Sequence, residues 1–218
     1  MNERYQLHLG DCLEVLKSLP DGSVDSVVTD PPWPDCRVTF AGSPDPYALL
    51  RKVAPEMARV AKRVVVHVGC ETDPSFVACL SEHMPFFRVC WMRFACPTRR
   101  GRVLNGADVA YVYGTPPKSR KGFQLVPGEV CASSRDPKNG HPCPRKLDHA
   151  MWLQRKLVEP GGTVLDPFMG SGTTGVAAVH EESPFIGCEI EPKYFNIAKH
   201  RIEAEARQKT MDFGGPHG

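Results

Sequence analysis

Several things are missing from this sequence, and each absence narrows what it encodes. Its nine cysteines contain no C-x-x-C pair, so no zinc cluster and no other metal site is expected. No apolar run approaches the length of a membrane span. The opening MNERYQLHLGD has no apolar h-region. With an odd cysteine count, this predicts reduced thiols and a soluble protein of the cytoplasm, in a prokaryotic or viral-host cytosol, with no membrane partner. No charge of one sign dominates: 27 basic residues face 25 acidic ones, a formal net charge of +2. The whole surface is therefore not an electrostatic glove for nucleic acid. No internal repeat is visible.

What is present reads as an ordinary globular chain. The 218 residues are 41% apolar and 24% charged, enough for a single domain spanning 1–218 with a sizeable core. Basic residues are uneven, with ten of them between Arg99 and Lys146. That bias fits either contact with phosphates or a solvated loop surface.

The hydrophobic pattern predicts alternating strands and helices. Strands are expected at Tyr5–Leu9, Val24–Thr29, Val64–Val68, Phe86–Phe94, Val109–Tyr113, Thr163–Asp166 and Phe185–Glu189. Helices are expected after Asp11, over Tyr47–Ala61 with Pro55 as a kink or break, and over Pro74–His83, Leu147–Val158, Thr173–His180 and Tyr194–Arg207. Pro34–Pro46 and Thr115–Pro144 lose periodicity and read as loops. The alternation predicts an α/β fold, a mostly parallel sheet flanked by helices. Such sheets bind ligands at the carboxyl ends of their strands. Asp11, Asp30, Asp166 and Glu189 all fall at predicted strand ends.

Two of those acids frame a glycine loop. In VLDPFMGSGTTG, Val164 to Gly175, a strand ends on Asp166 and a helix opens near Thr173. Gly170 and Gly172 allow a sharp bend and a close approach to a ligand. The Walker pattern needs a lysine where Thr173 and Thr174 stand, and Asp166 would repel a polyphosphate. A ligand with an ammonium group and a carboxylate suits the loop better, with the cation near Asp166 and the anion near the helix N-terminus. Taken alone, the loop equally describes a tight strand-to-helix turn. Glu189 ends the next strand, where an acid commonly accepts hydrogen bonds from both ribose hydroxyls of a nucleoside cofactor.

These stretches, together with Asp30-Pro31-Pro32-Trp33, resemble the amino-methylating DNA methyltransferases that use S-adenosylmethionine. The aspartate motif precedes the glycine motif, Asp166-Pro167-Phe168-Met169-Gly170-Ser171-Gly172. That permuted order resembles the β class, and it implies a Rossmann-like methyltransferase fold. The resemblance covers most of the chain and weakens between Pro34 and Pro144. It implies S-adenosylmethionine as cofactor and double-stranded DNA as partner, with a homodimer left open. Cofactor contacts are implied for Asp11, Cys12, Asp166, Pro167, Phe168, Gly170, Ser171, Gly172, Thr173 and Glu189. His141 and Lys146 lie where the family has an HPTxKP-like stretch. This chain carries Arg145-Lys146 where Lys-Pro is usual.

The resemblance makes Asp30, Pro31, Pro32 and Trp33 the catalytic stretch. An exocyclic base amine is a poor nucleophile because its lone pair is delocalised into the ring. Two acceptors, the Asp30 carboxylate and the Pro31 carbonyl, would pyramidalise it, and acceptors aimed at developing positive charge stabilise the transition state. The two prolines stiffen that presentation. Trp33 offers a flat apolar face for a flipped base. Adenine N6 is the expected target, since the family's adenine enzymes usually carry Asp or Asn here and its cytosine-N4 enzymes Ser. Cytosine-N4 or RNA methylation, or an idle DNA-binding homologue, are the alternatives. Residues 96–107 and 115–140 are candidate short target-recognition insertions, with Arg99, Arg100 and Arg102 as candidate DNA contacts.

Overall fold

The structure is a computed structural model describing residues 4–35, 45–118, 126–133, 140, 142, 143 and 145–213. Its strands are β1 (Tyr5–Leu9), β2 (Val24–Thr29), β3 (Ala61–Gly69), β4 (Phe86–Arg100), β5 (Val103–Gly114), β6 (Glu129–Ala132), β7 (Val164–Asp166) and β8 (Phe185–Glu189). They form one sheet in the order β1-β8-β7-β2-β3-β5-β4-β6. Pairing is parallel from β1 through β3, and β5 runs antiparallel to both β3 and β4. All six residues of β2 are buried, as a central strand covered on both faces requires.

Helices cover both faces. Alternate strand residues point to opposite sides, so Val27, Val64 and Val66 meet α1 (Cys12–Ser18) and α2 (Pro46–Val60). Val28 and Val65 face the other way, toward α3 (Leu147–Leu157), α4 (Thr173–His180) and α5 (Pro192–Phe213). Asp11 starts α1 by accepting the Leu13 N–H at 2.9 Å, and Glu14 and Lys17 complement the helix dipole. Asp45 does the same for α2 through Ala48, with Pro46 in its first turn.

Three local expectations are corrected. Pro55 does not break α2: it sits on the exposed side, while Leu50, Val53, Ala54, Met57 and Val60 are buried against the sheet. That burial outweighs one lost backbone bond. The segment expected as a helix at Pro74–His83 is two short 3-10 turns, Pro74–Phe76 and Ala78–Glu82. Phe76 and Leu80 fill the core there without a continuous helical face. Residues 96–107, expected to connect two strands, belong largely to them. β4 and β5 form a hairpin turning at Gly101, which has φ +60°. Gly69, the carboxyl end of β3, pairs with Asp108, and Met92 pairs with the same residue. The hairpin beyond those positions therefore projects past the carboxyl edge of the sheet. Of residues 115–140, those numbered 119–125 and 134–139 lie outside the described residues, and 129–132 form β6.

Candidate active site

The carboxyl edge holds the acids that the sequence places at strand ends. One pocket is lined by Gly10, Asp11 and Cys12 after β1, by Asp30, Pro31, Pro32 and Trp33 after β2, by Pro167, Phe168 and Gly170 after β7, and by Glu189 and Ile190 at β8. Leu13, Leu49, Lys52, Cys143, Arg145 and Tyr194 complete it. The aspartate-proline motif and the glycine turn are thus brought together across more than a hundred residues of chain.

Glu189 organises the turn. Its Oε2 accepts the Gly170 N–H at 2.9 Å and its Oε1 the Glu191 N–H at 2.8 Å. Each oxygen keeps a lone pair for a further donor. Burial raises the Glu189 pKa, and the two backbone donors oppose that rise. Gly170 has φ +51°, a conformation that suits glycine.

Asp166, expected to face a ligand cation, lies behind the pocket wall. It is 2% exposed and does not line the cavity. Its Oδ1 accepts Thr29 Oγ1 at 2.7 Å and the Phe168 N–H at 3.1 Å. Burial pushes its pKa up to about 7, against the donors Thr29, Thr174 and the Phe168 N–H. Ser171, Gly172 and Thr173 also lie off the pocket lining. Arg201 Nη1 donates to the Ser171 carbonyl and to Thr173 Oγ1, which ties α5 to the start of α4. Gly172 packs on α5: a Cβ there would come within 2.8 Å of the Ala198 Cβ. Lys146 is the N-cap of α3 and also lies off the pocket lining. His141 lies outside the described residues. Asp166, Ser171, Gly172 and Thr173 shape the turn and its supports, whereas Pro167, Phe168 and Gly170 present the surface.

Cys12 lines the pocket beside Asp11, and burial pushes its pKa up to about 12. The thiol therefore stays protonated near neutral pH, an apolar contact rather than a nucleophile.

At the catalytic end Asp30 Oδ1 accepts Trp33 Nε1 at 2.9 Å. Its Oδ2 accepts Arg145 Nε at 2.5 Å. Arg145 also reaches Asp108 Oδ2 at 3.2 Å. Burial would lower the Arg145 pKa, but Asp30 and Asp108 hold it above its ordinary value. Neither Arg145 nor Asp108 is among the site residues expected from sequence. The Arg-Lys departure from Lys-Pro was the available signal for Arg145; Asp108 sits mid-strand and gave none. Arg99 and Arg102 are exposed near the hairpin tip, and Arg100 ends β4.

The sheet order and the acids at its carboxyl edge define a methyltransferase of the S-adenosylmethionine-dependent fold. TTHA0409 of Thermus thermophilus, solved with S-adenosyl-L-methionine, superposes with a TM-score of 0.69 at 25% identity, over 93% of this chain and 96% of that one. The PvuII DNA methyltransferase, cytosine-N4-specific, gives 0.71 at 19% identity, over 94% and 92%. A family model described as DNA methylase, of the N6/N4 methyltransferases, matches residues 107–200. YubD of Escherichia coli K12 is 27% identical over 216 residues, covering 91% of this chain and 90% of that protein. The Type II methyltransferase M.BglI of Bacillus subtilis is 53% identical over 51 residues, 23% of this chain and 15% of that protein. Over residues 107–200 the chain is therefore similar to the N6/N4 DNA methylases.

Proposed function

We propose that this protein, as one methyltransferase domain, methylates the exocyclic amine of a flipped base in double-stranded DNA, at adenine N6. The observation that carries this reading is the shared pocket of Asp30 and Gly170. S-adenosylmethionine supplies, when bound, a methyl group on a sulfonium sulfur. The residues present fit it. Glu189 lines the pocket with both oxygens held by backbone N–H groups, and each keeps a lone pair to offer a ribose hydroxyl. Asp11 lines the same pocket, suited to accept from an adenine amino group. Phe168, Pro167 and Ile190 supply apolar walls, which a positively charged, phosphate-free nucleoside tolerates better than a polyphosphate would.

Asp30 takes one amine hydrogen and the Pro31 carbonyl the other, so the nitrogen lone pair is turned toward the methyl donor. Trp33 backs the base. Base–aromatic stacking contributes roughly 1–3 kcal/mol. Positioning supplies much of the rate, since the reacting atoms must lie in line. The proton released from the methylated amine passes to Asp30 or to water. The hairpin supports DNA as substrate: it extends beyond the site edge with Arg99 and Arg102 exposed. Asp30 supports adenine over cytosine, where serine is usual in the family.

The test is methyl transfer from labelled S-adenosylmethionine to unmethylated DNA, then digestion to nucleosides and mass spectrometry. N6-methyladenine is expected. N4-methylcytosine would overturn the adenine assignment, and unlabelled DNA would overturn the reading as a whole.

A further inference from the structure

Arg145 stands where a base would have to lie. Its guanidinium carbon is 3.8 Å from the centroid of the Trp33 ring, and its Nε holds Asp30 Oδ2. One side chain therefore covers the indole and engages the carboxylate that the methylation reading assigns to the amine. Trp33 has little freedom to turn away. Its Nε1 donates to Asp30 and lies 3.3 Å from the His67 carbonyl. On β3, a Cβ at Gly69 would stand 2.7 Å from Trp33 Cζ3. The indole is pinned between strand backbone and guanidinium, and the arginine is the removable layer.

We propose that Arg145 is a specificity-determining stopper of the base subsite, displaced by the entering base. This rests on the function proposed above. The exchange is selective because of its hydrogen bonds. An amino base returns an N–H to Asp30 for the one that Arg145 withdraws. A base presenting a carbonyl at that position returns nothing, and it leaves the carboxylate short of a donor. Asp108 makes the exchange reversible. It is 6% exposed within β5, and its Oδ2 lies 3.2 Å from Arg145 Nη1 and 3.3 Å from His67 Nε2. His67 remains beside it when the guanidinium leaves, so the displaced state does not strand a buried charge.

The stopper lowers apparent base affinity by the fraction of molecules that are open. The wild type, R145M and D108N are titrated by calorimetry with oligodeoxyadenylate and oligothymidylate, and wild-type methyl transfer to DNA is measured alongside. R145M is expected to bind both probes about tenfold more tightly, with the larger gain for oligothymidylate. That sign is diagnostic, because removing a cation by itself weakens binding to a polyanion. D108N keeps the arginine but loosens its hold, and it should shift affinity the same way by a smaller factor. Equal or weaker binding by both variants, or no binding by any protein, overturns the stopper. If the wild type still methylates DNA in that case, the function stands; if it does not, the function fails on its own measurement.

Discussion

Thr29 Oγ1 donates to Asp166 Oδ1 at 2.7 Å, joining the last residue of β2 to the last residue of β7. The residue after each, Asp30 and Pro167, lines the pocket. This buried bond holds the proposed catalytic strand end and the glycine turn in register. It explains why an aspartate that does not line the cavity heads the glycine motif.

The buried Asp166 gives stability a pH dependence with a definite sign. Its folded pKa, about 7, lies above the ordinary carboxylate value. The folded state therefore binds the extra proton between about pH 4 and pH 7, and stability falls as pH rises through that window. At most roughly 4 kcal/mol is lost across it. D166N should flatten the slope. Denaturant unfolding of both proteins at several pH values checks this, and parallel slopes would refute it.

Gly172 should resist substitution for structural reasons. It has φ +79°, and an added Cβ would lie 2.8 Å from the Ala198 Cβ and 2.9 Å from its Cα. G172A is expected to cost about 2–4 kcal/mol, combining left-handed strain with overpacking. The midpoint of chemical unfolding reads this directly. A change below about 0.5 kcal/mol would be incompatible with the packing described.

Arg99 and Arg102 should act on DNA binding alone. The R99A/R102A double variant should lower the salt dependence of DNA affinity by about two phosphate contacts, a slope change of ~1.8. Cofactor affinity should stay within about twofold of wild type. A series of binding isotherms at increasing salt measures the slope. An unchanged slope would remove the hairpin from the DNA interface.

The legible parts of this chain are those where one principle dominates. Val24–Thr29 is a valine-rich run with Asp25 as its single charge, and it is a fully buried parallel strand. The acids at strand ends announce a ligand edge, and Asp30 with Gly170 do share it. Other features depend on packing that local pattern does not encode. Pro55 reads as a break, but the buried side of α2 holds the helix through it. The hairpin past Phe94 carries Pro97, Arg99, Arg100 and Gly101, a composition that reads as loop, yet Thr98 to Arg100 pair with Val103 to Asn105. Asp166 and Gly172 belong to a ligand motif by sequence, whereas burial makes them supports of the turn. Arg145 meets Asp30 from 115 residues away, a contact that only the folded chain defines.

The most direct measurement is single-turnover methyl transfer by D30A beside its affinity for S-adenosylmethionine. The account predicts a rate about 100- to 1,000-fold below wild type, the effect of losing one preorganised acceptor, with cofactor affinity within about threefold. Full methylation by D30A would contradict a transfer in which the strand end bearing Asp30 acts across one cavity on a donor held at the Gly170 turn.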